Sequence, residues 1–378
     1  MIKILQMIGS LDAGGVQAFA FNSSKILQGT EFQFDFAVDH DDCDFYKKTI
    51  LDMGSKLYQF PTPTYTNFRR YERKWDAFFL AHREYDIIHG HSRSTASLYL
   101  RSAKRHGLAT IAHSHNTSNG TGVRSLAKDM MCRSIWKHAD IYLACSEEAG
   151  SWLYGKHWRH DADSRVIPNA VDLERFRFRE SSRLAIRREL SIDQSAFVIG
   201  HVGRFSAVKN HAFLVRCFYY LVQRIPSMVL VLVGDGELRG QIEAQVAKLG
   251  ISDNVRFLSN VSDVAPYYSA MDVLLFPSLY EGIPLSLIEA QTSGLPLVVS
   301  NHVDPHAILC KDNCTILELD SPEKWTDVVV ELLNGIASRS EAIPREINYS
   351  PYNIQYLRTE LANVYRSALA FSEQKKAI

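Results

Sequence analysis

Two glutamates, Glu281 and Glu289, flank the segment whose residue types are best suited to carry chemistry. Gly282 and Pro284 follow the first glutamate and predict a loop that opens a helix, whose first N–H groups have no partner within the helix. Carboxylates accept hydrogen bonds from paired hydroxyls, such as those of a sugar or a ribose, and the N–H groups between them suit a phosphate. The alternative, a helix-start acid and a solvated glutamate, is disfavoured by the order of strand, loop, helix and second glutamate.

A pair of cations follows another predicted strand. Arg204 comes directly after Gly203, and Lys209 stands just before the next predicted helix. Because arginine offers a planar fork of donors and lysine a point charge, the two side chains can close on one diphosphate. The alternative is a pair of solvated loop charges.

Two glycine turns give weaker indications. Gly14 and Gly15 lie between the first predicted strand and a predicted helix over 17–27, where the backbone can approach a negatively charged ligand closely. An ordinary tight turn is the alternative, and the spacing differs from the G-x-G-x-x-G pattern of dinucleotide binding. A Gly-Asp-Gly sequence at 234–236 follows the strand at 228–233, either as a ligand contact or as a turn.

Histidines are concentrated in one part of the chain, since seven of the fourteen fall between residues 82 and 138. His89 with His91, and His113 with His115, end two predicted strands. Alternate residues of a strand point to opposite faces, so one of each pair can line a ligand cleft. A metal site is conceivable, but no carboxylate or cysteine completes a ligand set. Histidines that face a ligand and histidines that are satisfied inside the fold both remain open interpretations.

The elements that must position these residues alternate between short apolar runs and longer amphipathic stretches. Runs that are apolar throughout predict strands covered on both faces, hence parallel sheets flanked by helices in an α/β fold. Helical spacing is visible at 212–224 and 238–249. The predicted strands are 2–7, 34–38, 87–89, 110–113, 141–144, 197–202, 228–233, 255–257, 273–276 and 296–299.

The alternation forms two series, which separate near 167–177, where a Pro-Asn turn and a charged segment interrupt the strands. Each series is long enough to build its own core. We therefore predict a Rossmann-like N-terminal domain over 1–172, a Rossmann-like C-terminal domain over 173–350, and a C-terminal helix over 351–378 that packs back on the first domain.

Composition and charge exclude several classes of protein. With 46% hydrophobic and 22% charged residues among 378, the chain is not intrinsically disordered. Forty-two Lys and Arg balance forty-two Asp and Glu, so no overall basic field indicates nucleic-acid binding. Six cysteines are too sparse for a disulfide scaffold. No export signal or membrane-spanning run is visible, which predicts a cytoplasmic protein that is soluble or at most peripheral to a membrane.

The motifs resemble those of the retaining GT-B glycosyltransferases called family 4, which build bacterial polysaccharides and glycolipids. The most specific is E-x7-E, from Glu281 to Glu289, followed by Ser-Gly-Leu-Pro at 293–296. The resemblance covers essentially the whole chain, which is similar to bacterial exopolysaccharide-biosynthesis members. Supporting segments are the loop of Arg204 and Lys209, Pro-Asn-Ala-Val-Asp at 168–172, the early segment at 8–27 and His-Ser-His-Asn at 113–116.

The resemblance implies two Rossmann-like domains facing across a cleft, the first on the acceptor side and the second binding a nucleotide sugar. The two cations would bind the diphosphate and stabilise it as it leaves, Glu281 would hydrogen-bond the transferred sugar, and Glu289 would hold the ribose. The base would sit against Asn260 and Val261, and His115 would line the sugar side. The implied catalytic residues are Arg204, Lys209, Glu281 and His115. The implied donor-binding residues are Gly15, Gly203, Arg204, Lys209, Val261, Glu281, Gly282, Ile283, Pro284, Leu285 and Glu289.

The reaction implied is transfer of a sugar from a nucleotide sugar, UDP-hexose first, to a glycan or polyprenyl-linked acceptor, with retention and without a metal or other cofactor. Metal-dependent transferases of another fold use Asp-x-Asp, and the patterns at 42–44 and 161–163 stand in polar loops. Arg204, Lys209 and helix dipoles can neutralise the charge instead. No enzymatic nucleophile is implied.

Two alternatives share the architecture. A nucleotide-sugar 2-epimerase needs acid and base carboxylates, and the spacing of Glu281 and Glu289 fits a transferase better. A non-catalytic partner subunit would lose the donor site, whereas Arg204 and Lys209 are present together with both glutamates. A Rossmann oxidoreductase is disfavoured by the missing glycine fingerprint.

A local charge asymmetry suggests a membrane partner. Residues 60–139 carry thirteen Lys and Arg against five Asp and Glu, a local net charge of +8 in a neutral chain. The stretches 68–79 and 124–137 mix basic and aromatic side chains, which suits an anionic bilayer surface. We therefore expect docking at the inner face of the plasma membrane through these stretches. The alternative is that Trp75 and Trp136 are core residues and the arginines a solvated face.

Overall fold

The computed structural model describes residues 1–376 except 13, 41–44, 65–66, 117–130, 133, 161–162, 260 and 336–338. The chain divides into two compact units. The N-terminal unit comprises Met1–Ala170 together with Gln355–Ile378, and the C-terminal unit comprises Val171–Ile354. Each unit contains one sheet in its described part, and every strand pairing in both sheets is parallel.

The described residues of the N-terminal unit form a seven-stranded sheet with the order β3-β2-β1-β4-β5-β6-β7. Most residues of its inner strands are buried, as expected for a parallel sheet that helices cover on both sides. The strands are β1 (Ile2–Ile8), β2 (Phe32–Val38), β3 (Leu57–Gln59), β4 (Ile87–Gly90), β5 (Ala109–Ser114), β6 (Ile141–Ala144) and β7 (Ser164–Val166). The helices before the junction are α1 (Gly15–Leu27), α2 (Lys47–Asp52), α3 (Phe68–Ala81), α4 (Ala96–Arg105) and α5 (Glu147–Tyr154).

The C-terminal unit forms, within its described residues, a six-stranded sheet with the order β10-β9-β8-β11-β12-β13. Successive residues of β9 enter two different hydrophobic clusters, Val231 one and Leu232 the other, so both faces of the sheet are buried. The strands are β8 (Val198–Val202), β9 (Val229–Val233), β10 (Val255–Leu258), β11 (Val273–Phe276), β12 (Leu297–Ser300) and β13 (Cys314–Leu317). The helices are α6 (Leu173–Phe176), α7 (Glu180–Glu189), α8 (His211–Arg224), α9 (Arg239–Lys248), α10 (Ala265–Ala270), α11 (Leu285–Thr292), α12 (Pro322–Gly335) and α13 (Arg345–Asn348).

The chain ends in a long helix, α14 (Ile354–Lys376), most of which belongs to the N-terminal unit. Its apolar side is buried there, and the Tyr365 ring lies 5.5 Å from the Phe32 ring and 5.8 Å from the Phe34 ring of β2. The predicted fold class, two Rossmann-like parallel-sheet domains with a C-terminal helix on the first, is therefore confirmed.

All ten predicted strands are present, and the three strands that the sequence pattern missed are β3, β7 and β13. Each of these lies at the edge of a sheet. Their residues are half-buried or exposed, whereas the pattern used for prediction was a run that is apolar throughout. These three strands lack that signature, whereas β10, which is also at a sheet edge, begins with the buried Val255 and was predicted.

The basic stretch 68–79 lies in α3, and three of its aromatic side chains are core residues. Tyr71, Trp75 and Phe79 are at most 1% exposed, and Trp75 stacks on Phe60 with ring centroids 3.7 Å apart. The expectation that aromatics of this stretch contact a bilayer is therefore wrong for these three residues, whereas Phe68 and Phe78 are half-buried. The exposed residues of α3 include its basic side chains and Leu80, which is 57% exposed. Of the second stretch, 124–137, residues 124–130 and 133 lie outside the described residues. Among the helices that the structure describes, none is long and apolar enough to cross a membrane.

Candidate functional site

The C-terminal unit brings Lys209 and Glu281 into direct contact at the carboxyl ends of two neighbouring strands. Lys209 Nζ lies 2.7 Å from Glu281 Oε1, and the two side chains are only 15% and 18% exposed. The ammonium also lies 4.5 Å from the centroid of the Phe276 ring, at the end of β11. Since β8 pairs with β11, the loops that follow these strands meet, and Leu279 N–H donates to Val208 O at 2.8 Å. Parallel sheets bind ligands at this edge.

Local geometry places Lys209 there. A short 3₁₀ turn, Ala207–Lys209, ends at Asn210, whose φ of 53° is left-handed, and α8 begins at the next residue. A Cβ on Gly203 would stand 3.2 Å from Lys209 Cε, so a side chain at 203 would crowd the lysine stem. Gly203 thus contributes to the site by leaving room for Lys209.

The Gly-Asp-Gly turn at 234–236 supports the same loop from behind. Gly234 and Gly236 have φ of 147° and 156°, and a Cβ on them would lie 2.1 Å from Gly203 O and 2.6 Å from Phe205 O. Phe205 N–H donates to Asp235 O at 2.9 Å. These glycines are therefore required by close backbone packing against the Arg204–Lys209 loop, as the turn interpretation predicts.

Arg204 is held differently from Lys209. Its side chain is 74% exposed and donates to Glu237 Oε2, with Nε and Nη2 both at 3.2 Å. Exposed ion pairs of this kind contribute roughly 0.2–1 kcal/mol, so little opposes a swing of the guanidinium toward a stronger anion.

The first turn of α11 offers free backbone donors. Within the described part of the chain, the N–H groups of Gly282, Ile283, Leu285 and Ser286 have no acceptor, and Pro284 at the N-cap provides no side-chain cap. Gly282 is exposed, and a Cβ there would meet nothing within 4 Å. Free N–H groups at a helix start, next to a lysine, form an arrangement that suits a phosphate or a sugar oxygen.

Glu289 lies one turn before the end of α11 and is paired with a tyrosine that the sequence reasoning missed. Tyr268 Oη of α10 donates to Glu289 Oε2 at 2.7 Å. Burial raises the pKa of the Glu289 carboxyl above its ordinary value, and the Tyr268 hydrogen bond opposes that rise. Val261 packs partly buried against the hydrophobic cluster of this sheet face. Asn260, expected beside the base, lies outside the described residues.

In the N-terminal unit, Gly15 begins α1, and Gly14 at the N-cap provides no side-chain cap. No acceptor for the N–H groups of Gly15 and Val16 occurs among the described residues. Gly15 faces Asn169, whose buried Oδ1 is likewise without a described partner. The predicted anion-binding turn is therefore accompanied by an unpaired polar side chain that its sequence pattern did not indicate.

The four strand-end histidines of this unit form one cluster. His89 Nε2 lies 3.3 Å from His113 Nδ1, and His91 Nδ1 lies 2.8 Å from His115 Nε2. Burial lowers the pKa of His89 and of His115 to about 3, and it lowers those of His91 and His113 well below the ordinary value. All four are therefore neutral near pH 7. Phe19 of α1 packs on the cluster, with its ring 4.7 Å from that of His113.

Three of these histidines, His89, His91 and His113, have ring nitrogens within 4.8 Å of one another, close enough to hold a metal ion. However, both nitrogens of His89 and of His91, and Nδ1 of His113, already have hydrogen-bond partners. A metal would have to replace these bonds. The arrangement fits a hydrogen-bonded network better than a metal centre.

Comparisons with known proteins agree with this architecture. A family model described as Glycosyltransferase Family 4 matches residues 13–175, and one described as Glycosyl transferases group 1 matches residues 196–335. EpsF of Bacillus subtilis (strain 168), which is named as a glycosyltransferase, is 29% identical over 368 residues, 96% of either chain. The UDP-Gal:alpha-D-GlcNAc-diphosphoundecaprenol alpha-1,3-galactosyltransferase of Escherichia coli is 29% identical over 266 residues, 67% of either chain.

Solved structures share the fold over nearly the whole chain. HepE of Anabaena, in complex with UDP, has a TM-score of 0.79 at 16% identity, covering 97% of this chain and 100% of that one. WaaG, a glycosyltransferase involved in lipopolysaccharide biosynthesis, has a TM-score of 0.66 at 18% identity, covering 98% and 95%. By its two family matches, its relatives and its paired parallel-sheet domains, the chain belongs to the family 4 glycosyltransferases of the GT-B fold.

Proposed function

We propose that this glycosyltransferase moves a hexose from UDP to a glycan or polyprenyl-linked acceptor in polysaccharide biosynthesis, retaining the anomeric configuration and using no metal ion. The observation that carries the proposal is the Lys209–Glu281 pair beside the free N–H groups of α11. It places a cation for a phosphate and a carboxylate for sugar hydroxyls within one hydrogen bond of each other.

The side chains of the C-terminal unit supply the charge that a departing diphosphate needs. Lys209 provides a positive charge in a largely buried position, the first turn of α11 adds N–H donors, and Arg204 is free to swing from its weak pair with Glu237. Preorganised donors of this kind stabilise charge that develops in a transition state. They take the role that a divalent cation plays in metal-dependent transferases.

Retention follows if the acceptor hydroxyl attacks the face from which the diphosphate leaves. The bond from the anomeric carbon to the acceptor oxygen then forms as the bond to the phosphate oxygen breaks. The hydroxyl proton passes to the departing phosphate oxygen, so no enzymatic nucleophile is needed. Lys209 and the α11 N–H groups would stabilise the same oxygens.

Relatives and neighbours support the choice of donor and acceptor. The Anabaena protein HepE has been solved with UDP and with UDP-glucose, which favours a uridine nucleotide here. The Escherichia coli relative is named for a diphosphoundecaprenol acceptor, which favours a lipid-linked glycan. Glu289 would bind the ribose hydroxyls, and its Tyr268 hydrogen bond fixes the carboxylate for that contact.

A donor panel tests the proposal. Saturation-transfer NMR with UDP-, GDP- and ADP-sugars should show contacts to the UDP-hexose, and transfer to diphosphopolyprenol-linked sugars should release UDP. The anomeric coupling in the product should match that of the donor. An inverted product would refute retention, and conversion of the donor sugar without any acceptor would instead identify a 2-epimerase. Lys209→Ala serves as the inactive control.

A further inference from the structure

A chain of hydrogen bonds runs through the N-terminal unit from Gln6 on β1 to His115 after β5, and its contacts determine where each hydrogen lies. Ser24 Oγ donates its single hydrogen to Ala20 O at 2.8 Å. Its 3.4 Å contact with Gln6 must therefore be one in which Ser24 accepts, so the Gln6 atom that faces it is the amide nitrogen. The amide oxygen of Gln6 consequently points the other way.

That oxygen fixes two histidine tautomers in turn. Gln6 Oε1 lies 2.8 Å from His91 Nε2, which must carry a hydrogen to donate. Neutral His91 then has a bare Nδ1, which lies 2.8 Å from His115 Nε2. This second nitrogen must also carry its hydrogen, which leaves His115 with a bare Nδ1. The tautomers are assigned from the network of contacts, as hydrogen positions in proteins generally are.

The chain ends on an unpaired acceptor. His115 Nδ1 is buried, and the described residues offer it no hydrogen-bond partner. Burial lowers the pKa of His115 to about 3, so the ring is neutral and does not gain a second hydrogen near pH 7. An unpaired buried acceptor is unfavourable unless a ligand completes it. The ring of Phe19 lies 5.2 Å from that of His115, but phenylalanine has no N–H or O–H to donate to this nitrogen.

We propose that Gln6 is a positioning residue, which acts through His91 to hold His115 in the tautomer whose bare Nδ1 accepts a hydrogen bond from a sugar hydroxyl of the substrate. This inference rests on the proposed transfer of a sugar. In the other neutral tautomer, Nδ1 of His115 would carry a hydrogen and would donate to the hydroxyl oxygen. It could then no longer accept a hydrogen bond from the hydroxyl. Gln6 thus sets the hydrogen-bond polarity of the substrate contact without touching the substrate.

A second branch of the same cluster provides a matched control. Gln6 Nε2 also donates to Tyr365 Oη at 3.2 Å, and Tyr365 lies 3.0 Å from His89 Nδ1. Tyr365 is as deeply buried as Gln6, but its branch leads to His89 and His113 rather than to His115. Tyr365→Phe therefore perturbs the cluster without removing the acceptor that orients His91.

The experiment reads tautomers directly. In the full-length protein with ¹⁵N-labelled histidine, long-range ¹H–¹⁵N spectra, assigned with His115→Gln, should show His115 protonated at Nε2 only. Gln6→Met should convert it to a mixture of tautomers, whereas Gln6→Glu, which keeps an acceptor toward His91, and Tyr365→Phe should preserve the Nε2–H form. A His115 that is protonated at Nδ1 in the wild-type protein would overturn the inference.

Kinetics then connect the tautomer to the substrate. Gln6→Met should lower kcat/KM roughly tenfold, the loss expected for one hydrogen bond, and Gln6→Glu should recover most of it. A fall in both transfer and acceptor-free hydrolysis of the UDP-hexose would place the hydroxyl on the donor, and a fall in transfer alone would place it on the acceptor. Equal losses in Gln6→Met and Tyr365→Phe would indicate a merely structural role and refute the inference. Absence of transfer by the wild-type protein would refute the proposed function. The tautomer spectra do not depend on transfer, so they show separately whether Gln6 sets the tautomer of His115.

Discussion

Replacing Glu281 by alanine should strengthen the binding of a free nucleoside diphosphate while it impairs transfer. The Lys209 ammonium lies 2.7 Å from the Glu281 carboxylate. A bound diphosphate must therefore compete with the Glu281 carboxylate for Lys209, whose positive charge that carboxylate partly neutralises. Removal of the carboxylate leaves Lys209 over the Phe276 ring with its charge available.

The size of the effect follows from the exposure of the pair. Fully exposed ion pairs contribute about 0.2–1 kcal/mol, and these two side chains are 15% and 18% exposed, which places their pair at the upper end. About 1 kcal/mol corresponds to roughly fivefold tighter binding of UDP. Transfer should nevertheless fall, because the carboxylate that would hold the sugar hydroxyls is lost.

Isothermal titration calorimetry with UDP and with uridine tests this reasoning. Uridine has no phosphate, so its affinity should not change in Glu281→Ala, and Glu281→Gln should resemble the alanine variant. Glu289→Ala should instead weaken both ligands, since it would remove the ribose contact. Equal losses of UDP affinity in the Glu281 and Glu289 variants would refute the division of roles between the two glutamates.

Four further outcomes are expected. Arg204→Ala and Lys209→Ala should each lower the rate of UDP release on the order of 10²–10³-fold, the usual loss for one charge-stabilising donor, and near-normal turnover in folded variants would contradict the assignment. Turnover should persist in excess chelator, and activity that is abolished and then restored by magnesium or manganese would reverse this reading of the phosphate site. The free energy of unfolding, measured with urea, should fall as the pH drops below about 6.5, because histidines bind protons in the unfolded chain but stay neutral when buried in the folded protein. With folded-state pKa values of about 3, His89 and His115 should each lower the free energy of unfolding by roughly 2 kcal/mol at pH 5. A free energy of unfolding that does not change with pH would contradict this. Co-sedimentation with anionic vesicles should decrease when salt is added and when the exposed basic residues of α3 are neutralised, which are Arg69, Arg70, Arg73 and Lys74. Absence of binding to anionic vesicles at low salt would refute the proposed membrane partner.

The inner strands of both sheets were predictable from the sequence because burial on both faces demands an uninterrupted apolar run. Three of the four edge strands of the described sheets were not, since β3, β7 and β13 contain no fully buried residue and need no such run, whereas the fourth, β10, was predicted. The same limit applies to α3, where basic and aromatic residues suggested a bilayer surface. Only the packed helix shows that Trp75 points into the core.

The residues of the candidate site were likewise predictable from the sequence only in part. Glu281, Glu289 and Lys209 were identified by their type and by their place after a strand or at a helix start, which are local properties of the sequence. Their partners were not identifiable: no local pattern marks Tyr268 as the donor to Glu289, or Gln6 as the residue that orients His91.

By itself the sequence therefore determined the α/β alternation, the inner strands and the candidate residues for binding a diphosphate and hydroxyls, because each depends on neighbours within a few turns of helix or one strand. Tertiary structure alone decided which of these residues meet. Lys209 pairs with Glu281 because β8 lies beside β11 in the sheet, and the Gly234 and Gly236 turn packs behind their loop because β9 lies on the other side of β8. Strand order is a property of the whole packed sheet, so contacts between distant segments cannot be read from either segment alone.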